Sequence, residues 1–585
     1  MKNVLFLQLP QLDNDVRGRH ENVPLAALYL EHALEQSSEG RYWSGRHISK
    51  QADALDDHGL LRIITRIRPD VISATLYLWN IERTLHLLAQ ARAALPRVRI
   101  VAGGPEVAPD HPFLFKSHIA DIAVYGEGEP VFPHILRALR TGRRTNFINV
   151  AWRRSRAYSW GAKPPPAFNL PTDLPPPRHR SWRPDAHGMA YLETTRGCPL
   201  RCAFCCYGHR RSRITALPAD EVIERVRILR ARGAREIRFI DPTFNAHPEF
   251  DAIIAGLARL NRNRRLEFFC ELRAETLSAL QARLLAAGNF REIEVGMQSR
   301  NPQTLRTIRR PTHLANLDHG ITRLTRAGVR VTVDLMYGLP AQNLADIRAM
   351  IRWSAKQRRI NVQCLQTLLL PGTDLRARRN ELALVAADEP PYAVASTAAL
   401  RAEDIRAAEQ LARRTLRMQM DCPTQRFVGR QLPDLFPEQV VVEINALDAA
   451  RRSLALHSSE PGKKRWRASV PRAGAANRRA LVIRGARLFE RREEIARLIR
   501  EAVTLEPYIL WQFVLEPERE EPLDLLDYLS DTIRQAGTHV VDRFLDMHSP
   551  GKRASRRLMV RLRPGHRYAR DWSAAAEAGL RDCFF

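Results

Sequence analysis

The chain has 585 residues, 45% of them hydrophobic, which is too long for one core and enough to bury several. It holds no apolar run of membrane-spanning length. Its first residues, Met-Lys-Asn-Val-Leu-Phe-Leu, have no small-residue cleavage site after them, so a first strand is expected there and not a signal peptide. The net charge of +28 raises nucleic acid as a partner. The arginines, however, spread along helical stretches such as 225–232 and 491–500 without interleaved aromatics, the pattern of solvated helix faces, and nucleic acid is not expected. Of eight cysteines none precedes position 198, which argues against a disulfide framework and for a reducing, cytoplasmic setting.

The amino-terminal part alternates strand-like and helical runs: a strand at 4–9, a helix at 25–34, a strand at 71–78, a helix at 81–94, and strands at 99–103 and 119–125. Such alternation predicts a Rossmann-like, doubly wound parallel α/β domain over residues 1–145, with ligands beyond the strand carboxyl ends. Those ends carry Leu76-Tyr77-Leu78-Trp79-Asn80, Gly103-Gly104-Pro105-Glu106 and Gly126-Glu127-Gly128-Glu129. Each could be ordinary turn chemistry, but together they put close backbone approach at one sheet edge. Residues 146–187 read as a linker, since 157–182 is dense in proline.

Next comes Glu193-Thr-Thr-Arg-Gly-Cys198-Pro-Leu-Arg-Cys202-Ala-Phe-Cys205-Cys206, after an apolar strand-like segment at 189–192. Three thiolates spaced C-x3-C-x2-C can hold three corners of a cubane iron–sulfur cluster and leave the fourth iron open to a ligand. A zinc site with His209 as fourth ligand is the alternative, although no second cysteine pair accompanies it. Cys206 reads as an ordinary buried thiol. Strands at 237–240, 267–272, 292–297, 329–336 and 362–369 follow, alternating with helices at 219–231, 248–260, 277–287, 314–327 and 347–356. With the strand before Cys198 this makes six, a partial (β/α)6 barrel over 188–390 whose site lies at the strand carboxyl ends. Residues 391–585 form a mixed α/β or α accessory domain of unnamed fold. It has helices at 403–418 and 491–503, a basic stretch at 461–478, and strand candidates at 481–483 and 508–513.

The cysteine spacing, Phe204 before the third cysteine and the six-stranded pattern resemble the radical S-adenosylmethionine (SAM) superfamily. The 76–80, 103–106 and 126–129 turns, with the Asn22-Val-Pro-Leu-Ala-Ala-Leu-Tyr-Leu run, resemble the cobalamin-binding domain of its cobalamin-dependent branch. The resemblance covers about residues 1–390. It implies a [4Fe–4S] cluster on Cys198, Cys202 and Cys205, and SAM on its open iron. It implies SAM contacts at Phe204, at Asp241 and Thr243 after the second strand, at Glu271 and Arg273 after the third, at Gln298 and Ser299 after the fourth, and at Leu370 after the sixth. For Glu271 and Arg273 a structural Glu–Arg pair is the alternative. Asp334 and Tyr337 are weaker candidates at the same mouth. Cobalamin contacts are implied at Leu76, Tyr77, Leu78, Trp79, Gly103, Gly104, Pro105, Glu106, Gly126, Glu127 and Glu129. The Asp-x-His-x-x-Gly loop that ligates cobalt in many cobalamin domains is missing, so cobalamin would be held without a histidine on its lower face.

The function implied is methylation of an unactivated carbon of a small molecule, peptide or lipid precursor, with methylcobalamin and a 5′-deoxyadenosyl radical as the working species. Electrons would come from a donor such as flavodoxin or ferredoxin. Radical cyclisation or rearrangement, and non-radical methyl transfer to an aromatic carbon, are alternatives within the branch. A tRNA methylthiotransferase is argued against by the lack of cysteines before Cys198. The alternative of another class is a metal-containing nucleic-acid-binding protein. The carboxy-terminal domain is expected to recruit substrate or close over it.

Overall fold

The computed structural model describes residues 1–10, 23–48, 52, 55–179, 182–207, 213–357, 359–416, 426–429, 438–447, 478–537 and 556–562. The first sheet is built from β1 (Lys2–Leu7), β2 (Trp43–His47), β3 (Val71–Thr75), β4 (Arg99–Gly103), β5 (Ile122–Val124), β6 (Val150–Arg154) and β7 (Ala157–Trp160), in the order β2-β1-β3-β4-β5-β6-β7. The first five are mutually parallel and the last two antiparallel. Alternate residues feed the two faces: Leu5, Leu7, Ile72 and Ala74 join one apolar cluster, and Val4, Phe6 and Val71 the other. That is the doubly wound arrangement the alternation predicts.

Two expectations are corrected here. The strand expected at 71–78 stops at Thr75, because Asn80 accepts from the Tyr77 N–H (2.8 Å) and donates to the Leu9 carbonyl (2.9 Å), folding 77–80 into a turn. The linker expected from 146 starts later, since β6 and β7 complete the first sheet and the prolines begin only at Pro164. From Pro164 on, the chain is a packed strap and not a free spacer. Phe168, Leu170, Leu174 and Trp182 are buried in the core of the second unit, and Arg225 stacks 4.5 Å over Trp182 while donating to the Pro175 carbonyl (2.9 Å).

The second unit holds β8 (Met189–Leu192), then the two-stranded ribbon of β9 (Thr195–Arg196) and β10 (Thr215–Ala216), then β11 (Glu236–Phe239), β12 (Glu267–Leu272), β13 (Phe290–Gln298), β14 (Arg330–Tyr337) and β15 (Ile360–Gln366). Six of these form one parallel sheet in the order β15-β14-β13-β12-β11-β8, an open partial barrel with the helices outside. A short ribbon of β16 (Val385–Ala386) and β17 (Val394–Ser396) follows. The helix Ala402–Thr415 then packs Ile405, Ala408 and Ala412 into the barrel core, so the barrel extends past the expected boundary at 390.

The third unit is a five-stranded parallel sheet of β18 (Arg426–Gly429), β19 (Glu438–Glu443), β20 (Arg478–Gly485), β21 (Leu510–Pro517) and β22 (Arg556–Arg561), in the order β18-β22-β21-β20-β19. The helices Arg492–Leu505 and Asp524–Gln535 pack on one of its faces. It meets the helices of the first unit: Arg479 pairs with Asp56, and the His86 and Tyr508 rings lie 5.5 Å apart. The basic stretch at 461–478 lies outside the described residues except for Arg478.

Candidate active site

The cysteine loop leaves the end of β8 and is fixed by Asp241, just after β11. The Asp241 carboxylate accepts from the Thr194 N–H (2.8 Å) and hydroxyl (2.6 Å) and from the Thr195 N–H (2.6 Å) and hydroxyl (3.0 Å). Burial pushes this carboxyl up to about 6, against the downward pull of those four bonds. Beyond Gly197, whose φ of 99° suits only glycine, the three candidate thiols follow. Cys198 and Cys202 are buried and Cys205 is half-buried, and none of the three is in a disulfide. The Cys205 N–H donates to the Cys202 carbonyl (3.1 Å), while the Ala203 N–H donates to the Ile308 carbonyl (2.8 Å), pinning the middle of the loop. Burial pushes the Cys205 thiol up to about 12, with Cys206, Cys202 and Cys198 as further negative neighbours. Three thiols on one loop are a donor set that suits a cluster. Cys206, expected as an ordinary buried thiol, is half-buried, and His209 lies outside the described residues.

The barrel strands deliver carboxylates to the same mouth. Glu271, late in β12, is reached by solvent yet surrounded by protein. Burial, then Glu294, raises its carboxyl to about 7. Asp334 on β14 is also raised, by burial and by Glu294, with which it shares a hydrogen bond. Glu271 and Arg273 do not pair: Arg273 bonds Glu275 and the Pro311 carbonyl instead. Ser299 is buried with its hydroxyl accepting from the Asn301 N–H (3.1 Å). Gln298, at φ 65° on a bulge of β13, lies buried beside Gly296 with Arg310. Thr243 has its hydroxyl 3.9 Å from Cys198 Sγ. Of the expected SAM contacts, then, the Asp241, Arg273, Ser299 and Thr243 side chains have protein partners, Thr243 donating to the Pro242 carbonyl (2.7 Å), while Glu271 is reached by solvent at the end of β12. Arg310, which the motif did not include, lies 3.6 Å from Cys202 Sγ.

At the first sheet, Tyr77 and Trp79 stack at 4.4 Å with planes 9° apart, and Trp79 is exposed. A Cβ on Gly103 or Gly126 would meet nothing within 4 Å, so open space lies past those strand ends. A Cβ on Gly104 would collide with the Leu76 carbonyl at 2.6 Å. Pro105 is half-buried there. This is room with backbone at its floor, and it fits a large planar cofactor. Glu127 lends its carbonyl to the Asn149 amide (3.3 Å). Glu106 and Glu129 are instead ties between units. Glu106 accepts from the Tyr392 hydroxyl (2.7 Å), which also lies 2.7 Å from His111 Nε2, and Glu129 pairs with Arg196 (2.9 Å). The Gly372 N–H donates to Asp110 (2.9 Å), seating the Leu370-Pro-Gly-Thr turn on the first unit.

One apolar cluster joins the two mouths. Leu78 from the first unit, Phe204 from the cysteine loop and Leu370 each pack against one buried cluster that includes Ala203, Ile308, Met336 and Leu369. Tyr207, just after the cysteine loop, is half exposed. Its hydroxyl is raised by burial, with Cys206, Glu271 and Tyr77 as neighbours. Sequence reasoning missed Arg310, Tyr207, His111 and Tyr392, since none belongs to a local motif. A polar cavity of about 650 Å³, lined by Arg264, Asn289, Arg291 and Arg330, opens near the amino ends of the barrel strands, away from the cysteines.

Three cysteine thiols at the carboxyl mouth of a parallel partial barrel, and glycine-floored strand ends in the first unit, are the two sites that a cobalamin-dependent radical SAM enzyme needs. The chain carries both modules of that class. The radical SAM superfamily model matches residues 192–354 and the B12 binding domain model matches residues 19–136, and these modules take a [4Fe–4S] cluster with SAM, and cobalamin. The chain is 22% identical over 360 residues to an uncharacterized methyltransferase of Pyrococcus horikoshii, covering 60% of this chain and 77% of that protein. It is 33% identical over 159 residues to the cobalamin-dependent radical SAM methyltransferase TokK of Streptomyces tokunonensis, covering 24% of this chain but only 22% of TokK. Its fold is similar to that of the radical SAM methyltransferase TsrM of Kitasatospora setae (TM-score 0.55, 18% identity, 67% of this chain and 80% of that one). It is also similar to the fold of the cobalamin-dependent radical enzyme OxsB (TM-score 0.55, 14% identity, 70% and 66%). Among the described residues no helix is long and apolar enough to cross a membrane.

Proposed function

We propose that this protein is a cobalamin-dependent radical SAM methyltransferase acting on an unactivated carbon of a small molecule, peptide or lipid precursor. The observation that carries the reading is the one apolar cluster against which Leu78, Phe204 and Leu370 each pack. It sets the glycine-floored space of the first unit against the cysteine loop of the second, so a substrate carbon between them could face both. The methyltransferase names of its relatives support the same reaction.

In this reading Cys198, Cys202 and Cys205 hold the cluster, and the Thr194–Asp241 and Thr195–Asp241 bonds keep their loop rigid. Thr243, Glu271 and Gln298 bind and orient SAM, with Phe204 and Leu370 covering it. Leu76, Tyr77, Leu78, Trp79, Gly103, Gly104, Pro105, Gly126 and Glu127 shape the cobalamin space, while Glu106 and Glu129 hold the two units in register. When bound, the cluster supplies an electron to SAM, and cobalamin carries the methyl group. Glu271, raised to about 7 by burial, can hold or release a proton near neutral pH. The surrounding apolar side chains exclude water. The setting is a reducing cytoplasm with a flavodoxin- or ferredoxin-type electron donor.

The test is anaerobic incubation of the reconstituted protein with SAM, reductant and cobalamin. S-adenosylhomocysteine and 5′-deoxyadenosine should both form, and Cys202→Ala should abolish 5′-deoxyadenosine. Cleavage untouched by that substitution would refute the reading.

A further inference from the structure

The helix Leu25–Glu35 places His32 and Glu35 one turn apart on one face, and the proline-rich strap lays His179 against them. One ligand atom from each lies within 4.8 Å of the other two. His179 Nε2 is 3.1 Å from Glu35 Oε2, and the His32 and His179 rings meet edge to face, centroids 5.7 Å apart. His32 is only 6% exposed, and its Nδ1 is enclosed with no hydrogen-bond partner among the described residues. A buried polar atom in that state calls for an explanation such as an ion.

Both halves of the cluster are held in place. Leu28 and Tyr29 anchor the helix in the barrel core. Arg232 grips the strap, donating to the carbonyls of Arg178 and His179 at 2.9 Å and of Trp182 at 2.5 Å. Of the charged groups nearby, Asp173 favours a cation and Arg225 opposes one.

We propose that His32, Glu35 and His179 form a divalent metal site that clips the strap to the first unit. Two imidazoles and one carboxylate on a short reach match zinc, with water in the fourth place. The site is separate from the cysteine loop, and its role is to fix how the strap enters the barrel.

The test uses the full-length, cluster-reconstituted protein, equilibrated with zinc chloride and then desalted, with zinc and iron counted by elemental analysis. About one zinc per chain should be retained. His179→Ala and Glu35→Gln should each weaken zinc retention on the order of tenfold or more while iron stays unchanged. Glu35 is exposed, so Glu35→Gln keeps the test open if a histidine variant folds poorly. Two results would overturn the proposal: a wild-type protein that keeps no zinc, or zinc that His179→Ala and Glu35→Gln both leave in place, which would put the metal on the cysteines.

Discussion

Arg310 holds Nη1 3.6 Å from Cys202 Sγ while its second arm donates to the Gly296 carbonyl at the bulge of β13. A fixed guanidinium beside a candidate cluster sulfur stabilises added negative charge there. Arg310→Met should therefore keep its iron but shift the cluster potential to more negative values. Potentiometry followed by electron paramagnetic resonance checks this, and an unchanged potential would reduce the arginine to packing.

Asp241 is the keystone of the loop. Asp241→Ala leaves two buried N–H groups and two hydroxyls without their acceptor. The expected cost is on the order of 3 kcal/mol or more, read by urea unfolding, with a parallel loss of iron retention.

Glu271 gives a pH signature. Its carboxyl sits at about 7 in the folded protein against 4.5 as a free group, so the folded state binds its proton more tightly. Between those values the folded form keeps a proton that the unfolded form has lost, and stability falls as pH rises. Cofactor-free Glu271→Gln should match wild type near pH 4 and melt higher than wild type at pH 8. It should also bind SAM more weakly.

The two neighbouring glycines should behave oppositely. Gly103→Ala adds a Cβ that meets nothing within 4 Å and should fold normally while weakening cobalamin retention, measured by its absorption after desalting. Gly104→Ala, at φ 102° and against the Leu76 carbonyl, should destabilise the fold itself.

Tyr392→Phe removes the hydroxyl that Glu106 and His111 share across the units. It leaves both buried groups short of a partner, and a loss of about 2 kcal/mol in thermal or urea unfolding is expected.

Much of the fold was readable from local pattern. The strands at 99–103 and 267–272 and the helices at 81–94 and 219–231 have the expected bounds. Periodicity sees only one element at a time, which is why β2 and the β6–β7 hairpin escaped it. The strap misled for a similar reason: proline density excludes helix and strand, but it says nothing of Trp182 and Leu174 being buried in the barrel.

The cysteine spacing and the alternation of strand and helix belong to the chain itself, because thiol spacing and backbone period are local quantities. From them came the class of fold and the candidate cluster ligands. Which carboxylates stay at the mouth and which are consumed was settled by folding alone. Arg310 reaches Cys202 across 108 residues, Gly372 reaches Asp110 across 262, and Tyr392 reaches Glu106 across 286. Contacts at such separations depend on how the sheets stack, a property of three-dimensional packing that no window of sequence contains.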